Sequence, residues 1–167
     1  MSSSYVRIVE QAIELLDSIT IEEYQSELKP NFPSSIGAHI RHIVDHFLAI
    51  QTGLSSGHID YNKRNRHNQI EQFPQNAIEQ LESIGRWISE LTDEVRESKI
   101  QVTTEIDISH TKSASCESTI ERELIFATSH AIHHYALIRI ICNLLDKQLP
   151  QFFGYAPATI THINQSA

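Results

Sequence analysis

Residues 118–145, which read STIERELIFATSHAIHHYALIRIICNLL, predict the longest helix of the chain. The stretch opens with Ser118 and with Glu121 three positions later, a pattern typical of a helix N-terminus. It then runs to Leu145 with neither proline nor glycine, and Lys147 and Pro150 follow where such a helix would end. A helix of this length needs other helices to cover its apolar side, so the rest of the chain is expected to pack around it.

Three further helices are predicted from apolar residues at helical spacing, over residues 4–28, 34–52 and 76–97. The first is expected to break near residues 18–20, and Ser34 or Ser35 can cap the second, which Gly53 follows. Long helices joined by loops favour an all-α fold, a four-helix bundle. The length of 167 residues suits one domain, predicted here as residues 1–167.

The segments outside the predicted helices differ in residue composition and pattern. Residues 55–72 are polar and without a clear period, which predicts a long loop, and loops of that length are often functional. Residues 100–108 alternate in part between apolar and polar, which favours a short extended or strand-like connector before the last long helix, and residues 111–115 look like a turn. The aromatic tail, residues 152–157, is expected to pack back onto the bundle.

Composition excludes several classes of protein. The formal net charge of -8 disfavours nucleic acid and anionic lipid as partners. No apolar run approaches the ~18 residues that cross a membrane, and the N-terminus lacks a secretory pattern, so a cytoplasmic location is predicted. Two cysteines do not form a disulfide framework: Cys142 is expected in the core, and Cys116 lies in a polar stretch.

Six of the ten histidines fall in two predicted helices. At ~100° per residue, His130 and His134 share an apolar face of the last helix, whereas His133 lies ~100° away. On the second helix His39, His42 and His46 fall within ~60° of one another, and His39 and His46 lie slightly closer to the apolar arc. Angular spacing alone leaves open which of these three meets the pair on the last helix.

These imidazoles predict a site for one divalent metal ion. Neutral imidazole ligates zinc, nickel, copper or iron, and one helical turn brings two such nitrogens onto one ion. A third histidine from another helix would complete a site that keeps open positions, as catalytic metal sites do. The competing interpretation is hydrogen-bonded packing histidines, but burying several imidazoles without a partner is costly.

Two motifs resemble the DinB-like superfamily. The segment Ser35-Ile36-Gly37-Ala38-His39-Ile40-Arg41-His42-Ile43-Val44-Asp45-His46 resembles its second-helix signature, and His130-Ala131-Ile132-His133-His134 resembles its fourth-helix His-x-x-x-His motif. The chain departs from the common pattern after the last histidine, where it reads Tyr135-Ala136-Leu137 instead of an Arg-Gly-Gln-like sequence.

The resemblance implies an up-down-down-up four-helix bundle with a metal held by His42, His130 and His134. His46, His39 and Asp45 are kept as possible additional ligands or outer partners of the site. Related proteins include metal-dependent thiol S-transferases and hydrolase-like members, and dimers are frequent among them. The implied cofactor is one divalent ion of zinc, nickel, iron or manganese. The implied partners are a small-molecule substrate, such as a low-molecular-weight thiol, and a second copy of the chain. The alternative function is that of a non-catalytic, stress-related module that binds a metal or a ligand.

Other polar residues near the motifs are weaker candidates. Tyr61, Arg64 and Arg66, in the long predicted loop, could bind an anionic group of a substrate above the metal, although a solvated surface is the simpler reading. Glu121 and Glu123 are expected to cap the last helix and favour its dipole, and a catalytic base is the weaker alternative for them. The sequence names no catalytic residue.

Overall fold

A computed structural model describes residues 4–30, 32–63 and 68–166. The first predicted helix forms as two, α1 (Ser4–Leu16) and α2 (Ile21–Gln25), with the expected break between them. Thr20 caps α2: its side chain accepts from the backbone N–H of Glu23, while the Glu23 side chain accepts from the backbone N–H of Thr20. This reciprocal cap stabilises a new helix start at the break.

The second predicted helix is α3 (Ile36–Ser56), capped by the side chain of Ser35. It continues through Gly53 and ends at Gly57, whose φ of 72° is the left-handed conformation that glycine adopts without strain. The prediction that Gly53 follows the helix end is therefore wrong. A Cβ on Gly53 would lie 2.6 Å from Cγ1 of Ile59, so this glycine lets the next segment pack directly on α3.

The described residues of the polar stretch after α3 include two short elements, β1 (His58–Asp60) and α4 (Asn68–Gln72). The third predicted helix is divided into α5 (Pro74–Glu90) and α6 (Asp93–Glu97), because Thr92 caps a new helix after the extended Leu91. The following connector is not a lone extended segment. It forms β2 (Lys99–Glu105), and the residues predicted as a turn contribute to β3 (Ser113–Thr119).

The three strands make one sheet in the order β1-β2-β3. β1 runs parallel to β2, and β3 pairs antiparallel with β2 from Lys99↔Thr119 to Glu105↔Ser113. The all-α class is thus correct for the long helices but omits this sheet. Its edge strand β3 is polar and mostly exposed, and backbone pairing with β2 holds it, so it carries little hydrophobic signal.

The last predicted helix is α7 (Ile120–Leu144), and α8 (Pro157–Gln165) follows in the tail. Thr119 rather than Ser118 caps α7, because the strand continues to Thr119, whose side chain accepts from the backbone N–H of Arg122. Among the long helices, α1 packs on α5 and α7, and α3 packs on α5 and α7. The core between them is almost entirely apolar, as in Ile40, Phe47 and Ile138.

The aromatic tail packs back onto the helices, as expected. Phe153 is buried and its ring stacks on the buried ring of Tyr135, with centroids 5.2 Å apart. Tyr135 also donates its hydroxyl to the carbonyl of Ile8 on α1, over 2.9 Å. Tyr135, which directly follows His134, is therefore an anchor between α7, α1 and the tail.

Within the described residues, no helix has the length and apolar character required to cross a membrane.

Candidate metal centre

Two helices supply the six clustered imidazoles. α3 carries His39, His42 and His46, and α7 carries His130, His133 and His134. The two helices pack against each other, and five of the six histidines are partly buried where they meet, while His133 is exposed. Helical periodicity aligns the histidines within each helix, and the packing of α3 on α7 brings together side chains that lie about 90 residues apart in the sequence.

His130 lies at the centre of the cluster. Its Nε2 atom is 2.9 Å from Nε2 of His42 and 3.1 Å from Nε2 of His134. The rings of His42 and His134 are themselves close, with centroids 4.7 Å apart. Three ring nitrogens from two helices thus point to one small volume.

His46 presents a further nitrogen to the same volume. Its Nδ1 lies 2.9 Å from the backbone carbonyl oxygen of His42, which can only accept, so Nδ1 carries the hydrogen. The lone pair is then on Nε2, as a metal ligand requires. His42, His46 and His130 each offer a ring nitrogen within 4.8 Å of the other two.

His39 lies on the outer side of the cluster. Its Nδ1 is 2.9 Å from Nδ1 of His134, the ring nitrogen that does not face His130. His39 therefore contacts the cluster through His134. Nε2 of His39 is buried and has no hydrogen-bond partner among the described residues.

Burial keeps these imidazoles neutral. Burial, reinforced by the nearby His46 and His133, lowers the pKa of His130 to about 4. Burial and the four surrounding imidazoles lower the pKa of His134 to about 3, and burial also lowers the pKa of His39. At neutral pH these side chains have the uncharged form that binds metal.

The donor set and its spacing fit a divalent transition metal. Two nitrogens bound to one tetrahedral zinc at ~2.0–2.1 Å would be about 3.3 Å apart. The observed separations of 2.9 and 3.1 Å around His130 need only a small opening of the cluster. Neutral nitrogen donors suit zinc, nickel or iron better than hard cations such as calcium.

Aromatic rings flank the cluster. Tyr61, just after β1, stacks on His46 with ring centroids 5.3 Å apart and an interplanar angle of 27°. Phe126 stacks on His130 one turn earlier on α7, with centroids 5.7 Å apart and an angle of 20°. Such packing restricts the orientation of the two imidazoles and excludes water beside them.

Glu123 is a residue whose role sequence reasoning missed. It is 6 % exposed and accepts hydrogen bonds from the Tyr61 hydroxyl at 2.7 Å and the Ser118 hydroxyl at 2.6 Å. It connects the end of β1, the end of β3 and the first turns of α7, next to the imidazoles. A second glutamate in the first turn of a helix is too common a pattern to reveal this role.

The structure places the other predicted residues as follows. The Tyr61 hydroxyl donates its hydrogen to the Glu123 carboxylate, so it does not offer that hydrogen to an anionic group of a substrate. Asp45 lines a groove of about 170 Å³ between α3 and β1, together with His58, Asp60 and Lys63. Arg64 and Arg66 lie outside the described residues.

The sequence profile of the DinB family matches residues 3–150, so the chain belongs to the DinB family. FK506-binding protein 5 of Rhizopus delemar is 34 % identical over 107 residues, which make up 64 % of this chain and 28 % of that protein. The chain therefore corresponds to less than a third of this relative, whose remaining length has no counterpart in the match.

Two solved structures share the fold. A DinB-like protein from Bacillus subtilis superposes with a TM-score of 0.61 at 17 % identity, covering 91 % of this chain and 96 % of that one. A DinB-like protein from Bacillus cereus gives 0.61 at 16 % identity, with coverages of 88 % and 91 %. The fold is thus the metal-binding helical fold of this family, and ring nitrogens of His42, His46 and His130 lie close together in it.

Proposed function

We propose that the chain binds one divalent metal ion through His42, His130 and His134. The observation that supports this is the position of His130 Nε2, within 3.1 Å of a ring nitrogen of each of the other two. Nε2 of His130 carries either one hydrogen or one lone pair, yet it faces a ring nitrogen of each of two other histidines, and a metal that accepts the lone pairs of all three suits this convergence. Zinc, nickel, iron and manganese are the candidates.

His46 decides how closed the site is. Its hydrogen bond to the His42 carbonyl leaves Nε2 as the ligating atom, so it can act as a fourth ligand. Three protein ligands leave room for a solvent or substrate atom, as catalytic sites require, whereas four nitrogens close a tetrahedral sphere. We propose the three-ligand arrangement, with His46 beside the open position.

The reaction we propose is metal-dependent, of the thiol S-transferase or hydrolase type, on a small-molecule substrate such as a low-molecular-weight thiol. A bound metal would supply Lewis acidity, which lowers the pKa of a coordinated water or thiol. The rings of Tyr61 and Phe126 would bind the apolar part of the substrate and exclude water. Arg64 and Arg66 are proposed to meet an anionic substrate group.

The second candidate is a non-catalytic module that holds a metal or a ligand. The observation that favours it is that His46 has its ligating nitrogen already oriented, which permits a closed four-histidine site. X-ray absorption spectroscopy of the zinc protein separates the two. Four imidazoles in the first sphere, counted from the multiple scattering of their rings, would support the binding module; three imidazoles with one further light atom would support the enzyme.

The primary test is metal content after purification without a histidine tag, compared between the wild type and His130→Ala, His134→Ala and His42→Ala variants. We expect close to one metal per chain in the wild type, and loss in each variant. His133→Ala is the matched control, because His133 lies on the same helix but is exposed. A wild type that takes up no zinc, nickel, iron or manganese when supplied with each would refute the proposal.

We also propose a bundle topology, a domain extent, a cellular location and an oligomeric state for the chain. The packing of α1 and α3 against both α5 and α7 supports a four-helix bundle, for which we propose the up-down-down-up arrangement. One domain over residues 1–167, a cytoplasmic location and a homodimer are proposed with it. Size-exclusion chromatography with light scattering would test the dimer directly.

A further inference from the structure

The Nδ1–Nδ1 contact between His39 and His134 bears on which nitrogen of His134 can bind a metal. Each nitrogen of His134 faces a different histidine: Nε2 lies 3.1 Å from His130, and Nδ1 lies 2.9 Å from Nδ1 of His39. A neutral imidazole carries its hydrogen on one nitrogen and its lone pair on the other. The partner of Nδ1 therefore decides whether Nε2 of His134 is a ligand.

Only one arrangement of hydrogens allows His134 to bind metal through Nε2. Its hydrogen must then lie on Nδ1, where it is donated to the lone pair on Nδ1 of His39. The hydrogen of His39 consequently lies on its own Nε2. The opposite arrangement, with His39 donating, would put a hydrogen on Nε2 of His134 and abolish its ligand function.

We infer that His39 is a positioning residue, which accepts the Nδ1 hydrogen of His134 and so orients its Nε2 lone pair toward the metal. The inference rests on the proposed metal site. It differs from the outer partners found most often in metal sites, a carboxylate or a backbone carbonyl, because the acceptor here is a second imidazole. An imidazole acceptor is itself free to change its tautomer, which a carbonyl cannot do.

The geometry separates this role from direct ligation by His39. Its Nδ1 meets His134 on the side of the ring away from His130, whereas the Nε2 atoms of His42 and His134 both face Nε2 of His130, where the ion would bind. Its Nε2 is buried without a hydrogen-bond partner among the described residues, so His39 is held in place through the contact with His134 and the packing of α3.

Three substitutions at one position test the inference. The polar end of an asparagine side chain occupies about the same position as Nδ1 of a histidine ring. The polar end of a glutamine side chain occupies about the same position as Nε2. We therefore expect His39→Asn to keep the acceptor and bind cobalt within about threefold of the wild type. His39→Gln and His39→Ala lose the acceptor and should weaken cobalt affinity about 10–100-fold, the usual effect of removing such a partner.

Cobalt(II) titration followed by visible absorbance measures both affinity and coordination, with His133→Ala as the control that should match the wild type. A positioning role predicts an unchanged spectrum at saturation in all three variants. Equal affinity in the Asn, Gln and Ala variants would overturn the inference. A changed saturated spectrum in the Gln and Ala variants, or a loss of one of two bound cobalt ions, would overturn it in favour of direct ligation.

Nitrogen-15 NMR of the zinc-loaded wild type gives an independent check. We expect His134 with its hydrogen on Nδ1 and His39 with its hydrogen on Nε2; the reverse tautomer at either residue would contradict the inference. Metal binding by the wild type also distinguishes a failure of the proposed function from a failure of the role inferred for His39. If it binds no cobalt or zinc, the proposed function is wrong, and if it binds metal while His39 can be replaced freely, only the role of His39 is wrong.

Discussion

The hydroxyl of Tyr61 donates to the buried carboxylate of Glu123 over 2.7 Å, linking the segment after β1 to the first turns of α7. Because Tyr61 also stacks on His46, this one bond connects the small sheet to the histidine cluster. Glu123 accepts a second bond from Ser118, so its removal would leave two donors without a partner. This network is a structural support for the candidate metal centre.

Removing this hydrogen bond should destabilise the fold. Tyr61→Phe keeps the stacked ring and loses the hydroxyl, which should cost about 1–3 kcal/mol because a largely buried acceptor loses a partner. Glu123→Gln should cost a similar amount. In a double-mutant cycle by urea denaturation, the two changes should couple by about 1 kcal/mol. Additive effects, with coupling below about 0.3 kcal/mol, would mean that the bond does not contribute.

Two buried glycines in helices should respond to alanine with opposite signs. A Cβ on Gly37 would lie 2.0 Å from the carbonyl oxygen of Glu71 and 2.9 Å from Tyr24, so Gly37→Ala forces backbone apart and should cost about 1–3 kcal/mol or more. A Cβ on Gly85 would meet only Val6, at 3.9 Å. Gly85→Ala should therefore stabilise by about 0.5–1 kcal/mol.

Thermal or urea unfolding measures both glycine variants against the wild type. The pair is informative because the substitution is the same and both residues lie in α-helices, α3 and α5. If Gly37→Ala were as stable as the wild type, the close approach of the segment around Glu71 to α3 would be incorrect. Destabilisation by Gly85→Ala would contradict the open space described beside α5.

Stability should fall at alkaline pH, because burial raises the pKa of the hydroxyls of Tyr24, Tyr61 and Tyr135 well above its usual value near 10. Burial and the hydrogen bond to Glu121 raise the pKa of Tyr5 to about 12. In the unfolded chain these groups ionise near pH 10. Above that pH the unfolded state binds fewer protons than the folded state, so the free energy of unfolding decreases as pH rises.

The measurement is the absorbance of tyrosinate near 295 nm against pH, with circular dichroism on the same samples. We expect the ionisation of these four tyrosines to coincide with unfolding, and in urea to shift to about pH 10. Ionisation of all the tyrosines near pH 10 in the still-folded protein would contradict their burial.

The two cysteines should differ in reactivity. Burial raises the pKa of the Cys142 thiol to about 11, whereas Cys116 is exposed on β3. At pH 8 a thiol-disulfide reagent should modify one thiol per folded chain quickly and the second only after denaturation. Cys116→Ser should abolish the fast phase and Cys142→Ala should not. A fast phase that survives Cys116→Ser would show that Cys142 is accessible.

Metal should stabilise the folded chain. Zinc at about 100 times its dissociation constant should raise the free energy of unfolding by about 2.7 kcal/mol, since the unfolded chain lacks the assembled site. For a chain of this size that corresponds to a rise in Tm of about 5–10 °C in scanning calorimetry. His130→Ala should lose this rise and His133→Ala should keep it. An equal rise in both variants would show that zinc binds elsewhere.

The amino-acid sequence by itself was enough for the positions of the four long helices and for the faces that carry the histidines. Helical periodicity is local, so His130 and His134 share a face in any structure where residues 120–144 are helical, and a local pattern also predicted the cap at Ser35. The family followed from two short motifs on those helices.

Only the tertiary structure decided which side chains meet across elements. The register of β3 on β2, the place of Glu123 between Tyr61 and Ser118, and the contact of His39 with the far nitrogen of His134 all join distant parts of the chain. None of them has a local period, because backbone pairing and side-chain hydrogen bonds between elements depend on how whole helices pack. For that reason the sequence named the histidines but could not rank His39, His42 and His46.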